Sequence, residues 1–265
     1  MGDGPPPHWR LWVDETPRPG WANMAIDQAL LERAERQGES WLRLYQWSPF
    51  CLSFGRHEPA LRRYDRRLIA ARAADTVRRP TGGRAVWHAQ ELTYAVAAPS
   101  FQFGSLRAAY LEIHLMLADA LLGLGVVASL APQGRTPALD AGACFAQPAG
   151  GEIMAEGRKV VGSAQFRQGT ALLQHGSILL EDNQEIVRSM IRNAGTAAGL
   201  PGVPLESPGI GQPPLQAGDV AEAVTHAASV RWPGRWEAVS GEESILPDAV
   251  THFDRFRSPA WTWAK

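Results

Sequence analysis

Three side chains in one stretch of this 265-residue chain have the chemistry for group transfer: the thiol of Cys144, the ammonium of Lys159 and the imidazole of His175. A thiolate is a strong nucleophile. A lysine places a compact charge on a flexible stem. An imidazole exchanges protons near neutral pH. Lys159 also stands out by composition. The chain has 26 Lys and Arg residues, and all but Lys159 and Lys265 are Arg. An internal lysine in such a chain is a candidate for a role that a guanidinium fills badly, the alternative being an ordinary solvated turn residue. The other cysteine, Cys51, lies in an apolar run and reads as a small packing residue.

The elements around these residues read as two β-hairpins in series. Glu152–Ala155 is a short strand, Glu156-Gly157-Arg158 a turn and Lys159–Arg167 the return strand. Gln168-Gly169 then turns the chain into a third strand, Thr170–Leu180. Glycine tolerates the positive φ that such turns require. Upstream runs Arg78-Arg79-Pro80-Thr81-Gly82-Gly83-Arg84-Ala85-Val86-Trp87-His88. Two glycines between strands let backbone N–H groups approach a ligand, and flanking arginines suit a carboxylate or phosphate. The loop lacks the Gly-Lys-Ser/Thr ending of a Walker A motif. It also lacks the G-x-G-x-x-G of a dinucleotide site.

The rest of the chain alternates strand pairs with a few helices. Trp9–Asp14 reads as an edge strand, Trp21–Gln37 as a helix, and Trp41–Trp47 with Phe50–Gly55 as a hairpin turning at Ser48-Pro49. Tyr64–Ala74 and Leu106–Leu124 carry helical spacing, and Glu91–Ala98 reads as a strand. Short helices are expected at Gln184–Asn193 and Asp219–Ala228. Hairpins without regular βαβ crossovers predict an α+β class. Residues 1–8, rich in Gly and Pro, read as a disordered tail. The composition is 45% hydrophobic and 20% charged, with two cysteines. It fits a globular protein rather than a disulfide scaffold. No apolar run reaches 18 residues and the N-terminus has no signal-peptide pattern, so the cytoplasm is the expected compartment. Between Arg56 and Arg84 lie nine arginines against Glu58, Asp65 and Asp75, a local basic surface suited to an acidic partner.

RRPTGGRAVWH (78–88) with ELTYAV (91–96) resembles the glycine-rich signature of the lipoate–protein ligase, biotin ligase and octanoyltransferase superfamily. GRKVVGSAQFRQGTALLQHGSILL (157–180) resembles its second signature. NMAIDQALL (23–31) and WLRLYQWSPFCLSFGR (41–56) match the family's opening. Cys144-Phe145 ahead of Glu152–Lys159 is similar to the arrangement in the cysteine-dependent octanoyltransferases. Relatives often carry Ser and an aromatic where this chain has Ala149-Gly150-Gly151, with the Cys-to-Lys spacing unchanged.

The resemblance implies the superfamily's catalytic fold, as one mixed-sheet domain over 9–265, of which 196–265 is a looser part. It implies octanoyl transfer from acyl carrier protein to the lysine of a lipoyl domain or a glycine-cleavage H protein. Cys144 would carry the acyl thioester, and Lys159 would lower the thiol pKa. Arg79, Thr81, Gly82, Gly83, Arg84, His88, Gly162, Ser163, Ala164, Gln165, His175 and Gly176 would form the substrate site, although His88 and His175 on their own read as structural histidines. No metal, cofactor, nucleic acid or membrane partner is implied. Two other readings stay open. One is a lipoate–protein ligase that uses ATP and Mg2+ through a lipoyl-adenylate, which makes Cys144 incidental. The other is an inactive carrier-binding module. Biotin ligation is disfavoured because its GRGRxG loop is absent.

Overall fold

The computed structural model describes residues 7–132, 151–192 and 214–265, together with the backbone of 203 and 204. Among them an eight-stranded mixed sheet and a three-stranded sheet share the core. The chain opens with strand β1 (His8–Arg18), helix α1 (Gly20–Gln37) and strands β2 (Ser40–Trp47) and β3 (Cys51–Phe54). Two short helices, α2 (Ala60–Arg63) and α3 (Arg66–Ala70), lead to β4 (Asp75–Arg78), β5 (Val86–His88) and β6 (Glu91–Pro99). Helix α4 (Leu106–Gly123) precedes β7 (Ala128–Leu130), β8 (Ile153–Ala155), β9 (Arg158–Gln168) and β10 (Ala171–Leu179). Two-residue strands β11 (Glu181–Asp182) and β12 (Val203–Pro204) pair with each other. The chain then forms α5 (Ala217–Arg231), β13 (Arg235–Ala238) and four short helices, α6 (Gly241–Ser244), α7 (Leu246–Ala249), α8 (Phe253–Arg257) and α9 (Pro259–Thr262).

The large sheet runs β13-β1-β2-β6-β10-β9-β8-β7, and the small one β4-β3-β5. The β8-β9-β10 ribbon is the pair of hairpins read from the sequence, with Glu156 at φ 50° and Gly157 at φ 74° in the first turn. Burial on both faces explains the apolar content of the central strands: β6 has every residue buried. On one face Leu42, Leu44, Tyr94, Val96 and Val161 pack against Ile113 and Leu117 of α4 and Val220 and Val224 of α5. On the other, Trp41, Tyr45, Ala95 and Leu173 pack against Met24, Ile26 and Leu30 of α1 and Phe256 of α8.

Four readings change. β1 is an inner strand, parallel both to β13 and to β2, because β13 closes over it from far along the chain. His8 already pairs with Arg235, so the strand begins inside the span read as a tail. The expected hairpin 41–55 does not form. β2 pairs with β1 and β6, while β3 joins the small sheet between β4 and β5. Local alternation marks both segments as strands, but it carries no information about which sheet each enters. The helix expected over 64–74 is the single turn and a half of α3.

Candidate active site

The two sheets meet over a cavity of about 340 Å³, its mouth included. Gly162 and Ala164 of β9 form its floor with Ser163 and Gly176. Tyr45, Trp47, Thr93, His88, His175, Ser177 and Arg79 stand around it. Residues alternate faces along a strand, so Gly162 and Ala164 turn towards this space while the side chains of Ser163 and Gln165 turn to α4. Gln165, expected in the substrate site, is held on that far face. Its Nε2 donates to Gln174 Oε1 at 2.7 Å and to the Leu106 carbonyl at 3.0 Å.

The glycine-rich loop is held over the cavity by arginines from below. Arg79 is buried, and its guanidinium donates to the carbonyls of Ser53 (3.0 Å), Gly82 (3.2 Å) and Arg84 (2.7 Å). Arg78 likewise donates to the carbonyls of Gly55 (2.8 Å) and Glu58 (3.0 Å) and to those of Trp261 and Thr262. Buried guanidiniums shape the loop by collecting carbonyls. Gly83 sits at φ 86°, and a Cβ on Gly55 would collide with the Gly83 carbonyl. Glycine is needed there because two backbones touch. Gly82 has open space where a Cβ would be, and Arg84 is buried beneath the loop.

Each of the two histidines at the cavity is held between a carboxylate and a hydroxyl. His175 Nδ1 donates to Asp27 Oδ2 at 2.7 Å, and its Nε2 lies 2.6 Å from Thr81 Oγ1 in the loop. His88 Nδ1 donates to Glu91 Oε1 at 2.7 Å, its Nε2 lies 2.6 Å from Ser53 Oγ, and its ring stacks on Trp47 at 3.8 Å. Burial lowers the His88 pKa below its ordinary value despite the nearby Glu91 carboxylate. The neutral ring then accepts the Ser53 hydroxyl, which itself accepts from Arg79.

Lys159 stands at the start of β9. Its ammonium is buried and donates to Glu152 Oε1 at 2.6 Å. A buried ammonium requires such a partner. Cys144 lies outside the described residues. Cys51 is fully buried in β3, and burial pushes its thiol pKa well up, as a packing residue requires. No group of three or more potential metal ligands occurs among the described residues. No helix of the described residues is long and apolar enough to cross a membrane.

Several residues of the site were not singled out in the sequence. Asp27 accepts from His175, from Arg43 Nη1 at 3.1 Å and from the Tyr45 hydroxyl at 2.9 Å, and Arg43 also reaches Asp14 at 2.7 Å. Their signal was present. Arg43 stands between Leu42 and Leu44 in a strand with no other charged residue, and a charge at an inward position needs a buried partner. His114 on α4 gave none, being one polar residue in a helical apolar pattern.

A family model for the lipoyl protein ligase A/B catalytic domain matches residues 19–203. An octanoyltransferase LipM of Moorella thermoacetica is 39% identical over 190 residues, 69% of each chain. The LipM of Carboxydothermus hydrogenoformans is 40% identical over 178 residues, 65% of each. Among solved structures, lipoate-protein ligase A bound with ATP superimposes with a TM-score of 0.75 at 20% identity, covering 97% of this chain and 98% of that one. The bi-partite lipoate protein ligase of Thermoplasma acidophilum, described with its E2 lipoyl domain, gives 0.73 at 18% identity, covering 97% and 96%. At such identities the structures establish the fold, whereas the family match covers both signatures and the strands that carry them. The chain belongs to the lipoyl protein ligase A/B catalytic-domain family.

Proposed function

We propose that this chain is an octanoyltransferase that moves an octanoyl group from acyl carrier protein to the lysine of a lipoyl domain or a glycine-cleavage H protein, by way of a thioester on Cys144. The observation that carries this reading is its 35–41% identity to enzymes named octanoyltransferase LipM. The cavity is compatible with it: a half-open slot with a glycine and alanine floor leaves the strand surface bare of bulky side chains, as an acyl chain lying along it requires. In the first step the Cys144 thiolate attacks the donor carbonyl. A C–S bond forms, and the carrier thiolate leaves and takes up a proton. In the second, the acceptor amine attacks, the C–N bond forms, and Cys144 leaves as thiolate while the amine gives up a proton.

A free thiol with a pKa of about 8.5 is only a few per cent thiolate at pH 7, so a nearby ammonium assists the first step. Lys159 has that role in this reading. The thioester already stores the activation that a ligase draws from ATP, so neither ATP nor Mg2+ is required. The test is intact-protein mass after mixing with octanoyl-acyl carrier protein in the absence of nucleotide. A hydroxylamine-labile octanoyl adduct on Cys144 is expected. No adduct, together with ATP-dependent modification of a lipoyl domain by free octanoate or lipoate, would assign the chain to the ligases.

A further inference from the structure

A single chain of hydrogen bonds crosses the face of the sheet that packs on α4, and its direction is determined at both ends. At one end Gln165 Nε2 donates to the Leu106 carbonyl and to Gln174 Oε1. Gln174 Nε2 then donates to the Tyr94 hydroxyl at 2.9 Å. At the other end His114 Nδ1 lies 2.6 Å from the Gly151 carbonyl, which only accepts, so the Nδ1 proton is required. Burial, with the nearby Lys159 ammonium adding to it, lowers the His114 pKa to about 4, only partly opposed by the Gly151 bond. The neutral ring therefore accepts at Nε2, from Ser163 Oγ at 2.8 Å. Ser163 has spent its proton there, and so accepts from Tyr94 at 2.7 Å. Every proton in the series has one place, and the imidazole cannot flip without leaving two acceptors face to face.

The far end of this chain is where Cys144's connection rejoins the sheet. Gly151 sits at φ 84°, a left-handed conformation suited to glycine. Its N–H donates to the Ala131 carbonyl at 2.9 Å, and Ala131 N–H donates to the Glu152 carbonyl at 2.7 Å. The next side chain, Glu152, holds the Lys159 ammonium. Among the described residues, the titratable and charged groups near Lys159 include Glu152 and His114, whose ring lies tilted against Tyr110 at 4.1 Å between centroids, and Arg158, which pairs with Glu156.

We propose that His114 is a positioning residue for the acyl transfer: by fastening the Gly151 carbonyl it fixes the backbone that aims Glu152, and through Glu152 it holds the Lys159 ammonium where that charge acts on the nucleophile. This rests on the role given to Lys159 above. His114 acts through Gly151 and Glu152 and touches no reacting atom.

Two substitutions separate the two ends of the imidazole. An asparagine amide nitrogen falls near the place of Nδ1, so His114→Asn keeps a donor for Gly151 and loses the acceptor for Ser163. A glutamine amide falls near the place of Nε2, so His114→Gln keeps the Ser163 contact and loses the Gly151 tether. The measurement is the rate of iodoacetamide labelling of Cys144 against pH, read peptide by peptide in the mass spectrum, with Lys159→Ala alongside. His114→Gln is expected to raise the apparent pKa of labelling by about one unit, lowering the rate at pH 7 about tenfold. His114→Asn is expected to keep the wild-type profile. Equal shifts in both variants, or none in His114→Gln while Lys159→Ala shifts, would overturn the positioning role alone. An unchanged profile in Lys159→Ala would overturn the role of Lys159, and this inference with it.

Discussion

At the scale of single residues, the two cysteines are given different roles. Cys51 is sealed in β3 and its thiol is pushed well up by burial, so it has no accessible thiolate at neutral pH. Cys144→Ser is expected to abolish turnover with an acyl-carrier donor while the circular dichroism spectrum stays unchanged, because a serine hydroxyl needs a dedicated base to attack. Cys51→Ser should keep most of the activity. Lys159→Ala should slow acylation and move the pH optimum upward. A positive charge favours the thiolate, so its removal raises the thiol pKa. Lys159→Arg should restore part of the rate, since a planar guanidinium fits the Glu152 site less well than an ammonium. Full activity in Cys144→Ser would show that the acyl group passes directly between carrier and acceptor.

At the scale of elements, the glycine-rich loop is shaped from beneath by β3 and β4. Gly55 follows β3 and lies against the Gly83 carbonyl, while Arg79 gathers the carbonyls of Gly82 and Arg84. Gly55→Ala should force the two backbones apart. An overpacking cost of about 2 kcal/mol in stability is expected, together with a loss in kcat/KM that exceeds any loss of folded protein at assay temperature. Thermal melting and kinetics on the same sample check both parts, and a variant with normal kcat/KM would show that the loop position has no bearing on turnover. The ion network behind the cavity belongs to the same scale. Arg43 from β2, Asp14 from β1 and Asp27 from α1 converge because the neighbouring strands β1 and β2 meet α1 on the sheet face that it covers, and the last of these carboxylates orients His175.

For the molecule as a whole, the basic stretch 56–84 divides by burial, with Arg56, Arg63 and Arg72 half-buried. Arg78, Arg79 and Arg84 are buried structural groups, whereas Arg62, Arg66 and Arg67 are exposed around α2 and α3. Arg56, next to the glycine-rich loop, lies over Phe166 at 4.8 Å. The exposed group is the part best placed to meet an acidic carrier protein. Raising salt from 0.05 to about 0.5 M should raise the KM for the carrier by screening these charges. Arg62→Glu and Arg66→Glu should raise KM more than they lower kcat. A KM indifferent to both salt and substitution would remove the docking role. The whole fold also senses acid through His114. Its folded-state pKa is about 4 against an ordinary 6.5, so between these values the unfolded chain binds a proton that the folded chain excludes. Stability is therefore complete above pH 6.5 and falls as pH drops towards 4, by up to about 3 kcal/mol from this group. His88, shifted in the same direction by burial, adds to the slope. Urea unfolding at pH 4.5 and 7 should show a smaller difference for His114→Asn than for the wild-type chain, and an equal difference would refute the assignment to His114.

The sequence by itself determined the elements and most of the chemistry. Alternation and glycine turns marked the β8-β9-β10 ribbon because side-chain period and positive φ are local properties of the backbone. The loop 78–88 was legible as a close-approach loop for the same reason, and Lys159 by its rarity among arginines. What only the tertiary structure decided was partnership across distance. β2 and β3, separated only by the three residues 48–50, enter different sheets. Gln165 faces α4 rather than the cavity, because face assignment depends on which layer lies on each side of a strand. Asp27 and His175, 148 residues apart, meet only when α1 packs on β10. His114 acquires a role only because the Gly151 carbonyl and the Ser163 hydroxyl are brought to its two nitrogens. A buried polar group must find its partner, and the sequence states that need without stating where the partner stands.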